Sequence, residues 1–127
     1  MNEDDADAFV AAWADAWNRR DLNGVLAQYA ADVELTSPLA AHWFVRDDGT
    51  VRGTAELQDY VDVGFKVAPD LHLEVRHTLV GVDGVTVVYT RENGVLVAEV
   101  MVLNAAGRIR RAWSYCYGLS LPEWPVD

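Results

Sequence analysis

The chain has 127 residues, the usual size of one domain and long enough to bury a hydrophobic core without disulfides or metals. Asp and Glu total 20 against 10 Lys and Arg, so the net charge of −10 would repel the phosphates of nucleic acids and anionic membranes. Cys116 is the only cysteine, which excludes an internal disulfide and a CxxC metal site. We therefore expect a single domain over residues 1–127 with no nucleic-acid or membrane partner.

The N-terminus, MNEDDADAF, is acidic, whereas a secretory signal peptide begins basic and continues apolar. No apolar run approaches the ~20 residues that a transmembrane helix needs. Both features favour a cytoplasmic protein.

The first part of the chain predicts two helices and a strand. Asp21 is a typical N-cap and predicts that the second helix starts there and extends to Tyr29. Val33 and Leu35 alternate with polar residues, which is a strand pattern that Pro38 ends. The spacing i, i+1, i+4, i+8 places four apolar residues on one face of the first helix. That face consists of Phe9, Val10, Trp13 and Trp17.

The segment from Leu39 to Arg52 allows two interpretations, a short hairpin with its turn at residues 47–49 or a mobile flap over a pocket. His42 and Trp43 would lie at the mouth of that pocket, although His42 fits a surface loop equally well. A third amphipathic helix follows and stops at Pro69. Its apolar positions are Leu57, Tyr60, Val61, Gly64 and Phe65.

From Leu71 onward the hydrophobic period changes to two, which predicts strands. Short turn-forming separators between the runs require an antiparallel meander. The tail from Leu119 to Asp127 contains two prolines and is expected to be irregular. The four strands are predicted at Leu71–Val80, Val85–Glu92, Val95–Leu103 and Arg108–Tyr117.

The order of these motifs resembles a known family. An aromatic helix, an N-x-x-D-hydrophobic motif, a hydrophobic-A-x-D motif and a strand ending near a proline follow one another. They are carried by Asn18, Asp21, Leu22, Val25, Leu26, Tyr29, Ala30, Asp32 and Pro38. Together with Val51–Thr54 before the third helix, they resemble the SnoaL-like and ketosteroid-isomerase-like branch of the nuclear-transport-factor-like superfamily. The resemblance implies an α+β fold, a cone-shaped curved antiparallel sheet with three helices packed on its concave face.

Alternation along the strands predicts the two faces of the sheet. The odd positions of the first run are apolar, and carrying this parity through the hairpins puts His77, Glu99 and Arg111 on the concave face. A one-residue slip would invert the last strand. The even face of the third run is also apolar, which predicts a homodimer through the convex face. Its residues are Leu96, Ala98, Val100 and Val102.

Glu99 and His77 are the candidate catalytic residues. A carboxyl among apolar side chains has a raised pKa, and such groups cluster at functional sites. The alternative for Glu99 is a structural ion pair with Arg111 across neighbouring strands. The residues expected to bind substrate are Trp13, Trp17, Ser37, Trp43, Tyr60, Phe65, Met101, Arg111, Trp113 and Tyr115.

The resemblance also implies roles for particular positions. In ketosteroid isomerases a protonated acid at the position of Glu99 donates a hydrogen bond to the developing oxyanion. Their general base falls at Ser37, which cannot abstract a carbon-bound proton near neutral pH, and their tyrosine donor falls at Trp13. Steroid isomerase activity is therefore not expected.

We expect a small, largely apolar organic ligand in a cone-shaped pocket, with acid–base isomerase, cyclase or hydrolase chemistry. The alternative is a non-catalytic ligand-binding or dimerisation module, because one fold hosts many functions. His72 and His77 face opposite sides of a strand and no histidine pair has helical spacing, so we expect no metal. No cofactor is expected.

Overall fold

Six strands form a curved, open sheet with four helices in the part of the chain that the computed structural model describes, residues 1–119. This confirms the predicted α+β class and adds one short helix. The helices are α1 (Glu3–Asn18), α2 (Leu22–Leu26), α3 (Pro38–Trp43) and α4 (Gly53–Val67). The strands are β1 (Tyr29–Thr36), β2 (Thr50–Arg52), β3 (Leu73–Val80), β4 (Gly84–Arg91), β5 (Leu96–Leu103) and β6 (Ile109–Tyr117).

The strand order is β2-β1-β6-β5-β4-β3, with β1 parallel to β6 and all other neighbours antiparallel. Helix α1 packs along β3 and helix α4 along β1. We call the helix-covered side of the sheet the inner face and the opposite side the outer face. Among residues 1–119, no helix combines the length and apolarity of a membrane span.

The helix boundaries follow local capping chemistry. Asn2 and Asp5 form a reciprocal capping box that begins α1. Asp21 caps α2 by accepting a hydrogen bond from the Gly24 N–H at 3.0 Å, as predicted. The second helix is shorter than predicted, because Tyr29 already belongs to β1. Val10, Trp13 and Trp17 are buried, which confirms the apolar face of α1.

The segment after β1 was expected to form a hairpin or a flap, but its first half is the helix α3. Ser37 is the N-cap and Pro38 the first helical residue, a pair that favours a helix start. Arg46 then joins this segment to α4 through an ion pair with Glu56 at 2.5 Å. The predicted return strand is present as β2.

Two bulges change the predicted faces of the sheet. In β3, Val75 pairs with Tyr89 while His77 pairs with Val88, so one extra residue is inserted between them. The insertion turns His77 to the outer face, where it is exposed. The prediction that His77 lies on the concave face was wrong.

The second bulge lies at the start of β6. Val102 pairs with Arg111 and Leu103 with Ile109, so Arg110 is the extra residue. The bulge inverts β6 and leaves Ala112 and Ser114 on the inner face. The prediction that Arg111 lies on the concave face was therefore wrong. Trp113 and Tyr115, which were expected to bind substrate, also lie on the outer face.

Candidate functional site

A cavity of about 70 Å³ lies between the inner face of the sheet, α1 and α4. Helix α4 contributes Gly64 and Val67 to its wall. Its aromatic lining residues are Trp13, Trp17, Trp43, Tyr60 and Tyr89, and its polar ones are Arg91, Glu99 and Ser114. A second cavity of about 40 Å³ shares Leu39, Tyr60, Tyr89, Arg91 and Ser114 with the first.

Glu99 is the acidic residue of this wall. It lies on the inner face of β5, is 4% exposed, and accepts a hydrogen bond at Oε1 from the hydroxyl of Ser114 on β6. Its other oxygen, Oε2, has no hydrogen-bond partner among residues 1–119. Burial raises the pKa of Glu99 to about 7, against the lowering effect of the Ser114 hydrogen bond. At neutral pH both protonation states are populated, which suits a group that takes up and releases protons.

Three buried tyrosines lie within the electrostatic influence of this carboxyl and remain protonated. Burial raises the pKa of Tyr29, Tyr60 and Tyr89, and the Glu99 charge raises each further. The Tyr60 hydroxyl donates to Ser37 Oγ at 3.0 Å, and Tyr29 Oη accepts from the Trp13 indole N–H at 3.2 Å. These phenols are hydrogen-bond donors or acceptors rather than bases at neutral pH.

Aromatic rings build most of the cavity wall. The Trp13 ring lies 5.7 Å from that of Tyr89 and 6.3 Å from that of Trp17. On the other side, Trp43 lies 5.4 Å from Tyr60. These distances are typical of packed aromatic pairs, and such walls suit an apolar ligand.

The Trp17 indole N–H is buried without a hydrogen-bond partner among the described residues. It also lowers the pKa of Tyr29, so it points towards that hydroxyl oxygen without reaching hydrogen-bond geometry.

Ser37 has a structural position. Its Oγ accepts hydrogen bonds from the Leu39 N–H at 3.2 Å and from Tyr60, and the residue is 2% exposed at the smaller cavity. Ser37 therefore caps α3, at the position where the sequence resemblance places the base of ketosteroid isomerases.

The structure brings together only part of the predicted site. Glu99 borders the larger cavity together with Trp13, Trp17, Trp43 and Tyr60, and Ser37 borders the smaller one. Their roles stay predictions. The residues that border neither of these cavities are His77, Phe65, Met101, Arg111, Trp113 and Tyr115.

Packing explains where two of these residues lie instead. Phe65 packs edge-on against Trp17 at 5.8 Å. Met101 is 1% exposed within the core.

Arg111 is occupied on the outer face. Its guanidinium donates to the Glu34 carbonyl at 3.1 Å and to Thr36 Oγ1 at 2.9 Å, and it stacks 4.1 Å from the Trp113 ring centre. The alternative of a Glu99–Arg111 ion pair was therefore wrong.

Arg91, Tyr89 and Ser114 belong to the wall but were not among the residues predicted to bind substrate. Arg91 and Tyr89 have the same parity as Val85 and Val87, so a charged residue on an apolar strand face was the available signal. Ser114 was hidden by the bulge in β6. Within residues 1–119 there is no group of three or more His, Cys, Asp or Glu side chains that could hold a metal ion.

The chain is similar to known proteins in both sequence and fold. Residues 10–113 match the SnoaL-like domain. The structure is similar to a SnoaL-like protein of unknown function from Burkholderia thailandensis, with 32% identity, 93% of this chain and 99% of that chain covered, and a TM-score of 0.87.

Two more distant structures show the fold alone. A putative isomerase of the SnoaL-like family from Agrobacterium tumefaciens is 15% identical, with 89% of this chain and 97% of that chain covered and a TM-score of 0.71. TerC, co-crystallised with polyporic acid, is 20% identical, with coverages of 87% and 89% and a TM-score of 0.71. No curated protein matches the chain. From the domain match and the Burkholderia relative, the chain belongs to the SnoaL-like family.

Proposed function

We propose that the chain binds a small, largely apolar organic molecule in the larger cavity and that Glu99 transfers a proton to or from it. The observation that carries this proposal is the buried carboxyl of Glu99, with a pKa of about 7, at the wall of an aromatic cavity. A catalytic acid or base works best when its pKa is near the working pH. The reaction class is acid–base isomerisation, cyclisation or hydrolysis.

Three further features support this proposal. The hydrogen bond from Ser114 fixes Oε1 of Glu99 and leaves Oε2 without a partner in residues 1–119. The protonated hydroxyl of Tyr89 at the same wall is a donor that can orient a carbonyl oxygen of the ligand. Among structural neighbours, TerC was co-crystallised with polyporic acid, which fits a small organic ligand for this fold.

The test begins with a thermal-shift screen of small apolar carbonyl compounds. For each compound that binds, proton NMR in D2O measures exchange of the hydrogens next to the carbonyl. Removing a general base slows proton transfer by about 10²- to 10⁴-fold, so Glu99→Gln should lose exchange while binding the same compounds. The wild-type exchange rate should rise with pH and level off above about 7, because the base form of Glu99 is the ionised one.

Two results would contradict a catalytic Glu99. Exchange in Glu99→Gln at the wild-type rate would exclude proton transfer by this residue. Binding without any exchange in the wild type would instead favour the alternative, a non-catalytic ligand-binding module.

A further inference from the structure

The larger cavity has an acid and a cation at different levels of the sheet. Glu99 lies directly across from Val87 on β4, and Arg91 follows Val87 by four residues on the same strand. Four residues of extended chain separate the two backbone positions by roughly 13 Å. Tyr89 lies between them with its ring against Trp13. The cavity wall therefore has an apolar middle, a carboxyl at one level and a guanidinium at the other.

Arg91 is held in a defined position. Its side chain is 7% exposed, and its Nη2 contacts Glu92 Oε2 at 2.9 Å. Glu92 is in turn fixed by the His72 N–H, which donates to Oε1 at 3.1 Å. Glu92 borders neither cavity, whereas Arg91 borders both. The Glu92 carboxylate thus lies outside the cavity and orients the Arg91 guanidinium, which is part of the cavity wall.

The positive charge of Arg91 acts inside the cavity. Its field lowers the pKa of the Tyr60 phenol, although burial dominates and leaves that pKa raised. The chain as a whole has a net charge of −10, so an anionic ligand meets local attraction only near such a cation. Placing a guanidinium against apolar rings costs desolvation energy that an apolar side chain would avoid. Its planar N–H groups match the two oxygens of a carboxylate.

We propose that Arg91 anchors an anionic oxygen of the ligand while Glu99 acts on its other end. This inference rests on the proposed function and narrows the ligand to an elongated, mostly apolar organic anion on the order of 10 Å long. A carboxylate is the group that fits the guanidinium best.

The test compares 2-naphthoate with 2-naphthamide, which share ring system and shape and differ in charge. Affinities are measured by calorimetric titration at pH 6, where 2-naphthoate is ionised and Glu99 is largely neutral. The wild type should bind 2-naphthoate about ten-fold or more tightly than 2-naphthamide. In Arg91→Gln this preference should vanish, while the affinity for 2-naphthamide stays within about two-fold.

Two further variants separate anchoring from folding. Arg91→Lys keeps the charge without the planar fork and should keep part of the preference. Glu92→Gln removes the ion pair but leaves the guanidinium, so its preference for 2-naphthoate should equal or exceed that of the wild type. Thermal melts of all three report on the fold independently of ligand charge.

Equal binding of both compounds to the wild type would contradict the proposal that Arg91 anchors an anionic group, but not the proposal that the cavity binds apolar ligands. An equal loss of both compounds in Arg91→Gln would show that Arg91 only supports the fold, and would also overturn the anchor. If neither compound binds the folded wild type, both the anchor and the proposed pocket function fail for this class of ligand.

Discussion

Glu99 couples folding to pH because its neutral form is favoured in the folded state. Its pKa rises from 4.5 to about 7 on burial, so the folded protein holds this proton more tightly than the unfolded chain does. The contribution of Glu99 to stability is therefore greatest below its unfolded pKa, declines as the pH rises from about 4.5 to about 7, and stays lower above that range.

Glu99→Gln keeps the side-chain shape and removes the free-energy cost of burying an ionised carboxylate above pH 7. We expect the variant to be more stable than the wild type at pH 8, by an amount on the order of 3 kcal/mol, and no more stable at pH 4. Urea unfolding at both pH values measures the difference in the free energy of unfolding. Asp59→Asn, on an exposed part of α4, controls for the loss of one negative charge. A Glu99→Gln protein less stable than the wild type at pH 8 would show that the fold stabilises the ionised carboxyl.

The same residue shows what alternation along a strand can predict. Glu99 was assigned correctly to the inner face because β4 and β5 pair without a register shift. His77 and Arg111 were assigned wrongly because each follows a bulge, and an inserted residue reverses every later side chain of its strand. The periodicity of β6 did not reveal its bulge, since both of its faces carry apolar or aromatic residues.

At the scale of elements, helix α4 contains a glycine that its backbone does not require. Gly64 lies within the helix, where glycine costs about 0.5–1 kcal/mol relative to alanine. A Cβ at this position would meet the Trp43 ring at 3.7 Å, which is an ordinary contact. The absence of a side chain there keeps part of the cavity wall open.

Substitutions at Gly64 should therefore separate stability from binding. Gly64→Ala should raise the free energy of unfolding by about 0.5–1 kcal/mol, as measured by urea unfolding. Gly64→Leu should extend into the cavity and weaken binding of 2-naphthamide by more than about ten-fold. Gln58→Leu, on an exposed part of the same helix, should leave binding unchanged. Wild-type affinity in Gly64→Leu would show that ligands do not use this cavity.

The length of an element decided how well it could be predicted from the sequence. The four long antiparallel strands were predicted within one or two residues of their ends, because their turns and alternation agree. Helix α3 was not predicted because its six residues are too few to show a periodic pattern. The Ser37–Pro38 pair is the one sequence signal for its start. Apolar content alone did not distinguish it from a strand.

At the scale of the whole molecule, the outer face of the sheet leaves apolar side chains exposed. Leu79, Leu96, Tyr115 and Tyr117 are 55%, 42%, 64% and 81% exposed, and all four lie on this face by their pairing. Apolar patches of this kind mark interaction surfaces in soluble proteins. We propose that a second copy of the chain covers this face, in an interface that would bury on the order of 1,600 Å².

Val100 lies on the outer face between Thr86 and Trp113. Val100→Asp would bury an unpaired charge in the interface, cost several kcal/mol of association energy and leave a monomer. Val82→Asp, in an exposed turn, is the matched control and should stay dimeric. Analytical ultracentrifugation at micromolar concentration checks both. A monomeric wild type would rule out the dimer.

Glu99 can be titrated directly by carbon-13 NMR of protein labelled at the glutamate side-chain carboxyls. The Glu99→Gln variant lacks one resonance and so identifies the signal of Glu99. We expect this signal to shift with a midpoint near pH 7, as burial at the cavity wall requires. A midpoint near 4.5, the ordinary value for glutamate, would mean that the carboxyl is charged and solvated at neutral pH. That result would contradict the proposed role of Glu99 as a proton-transfer group.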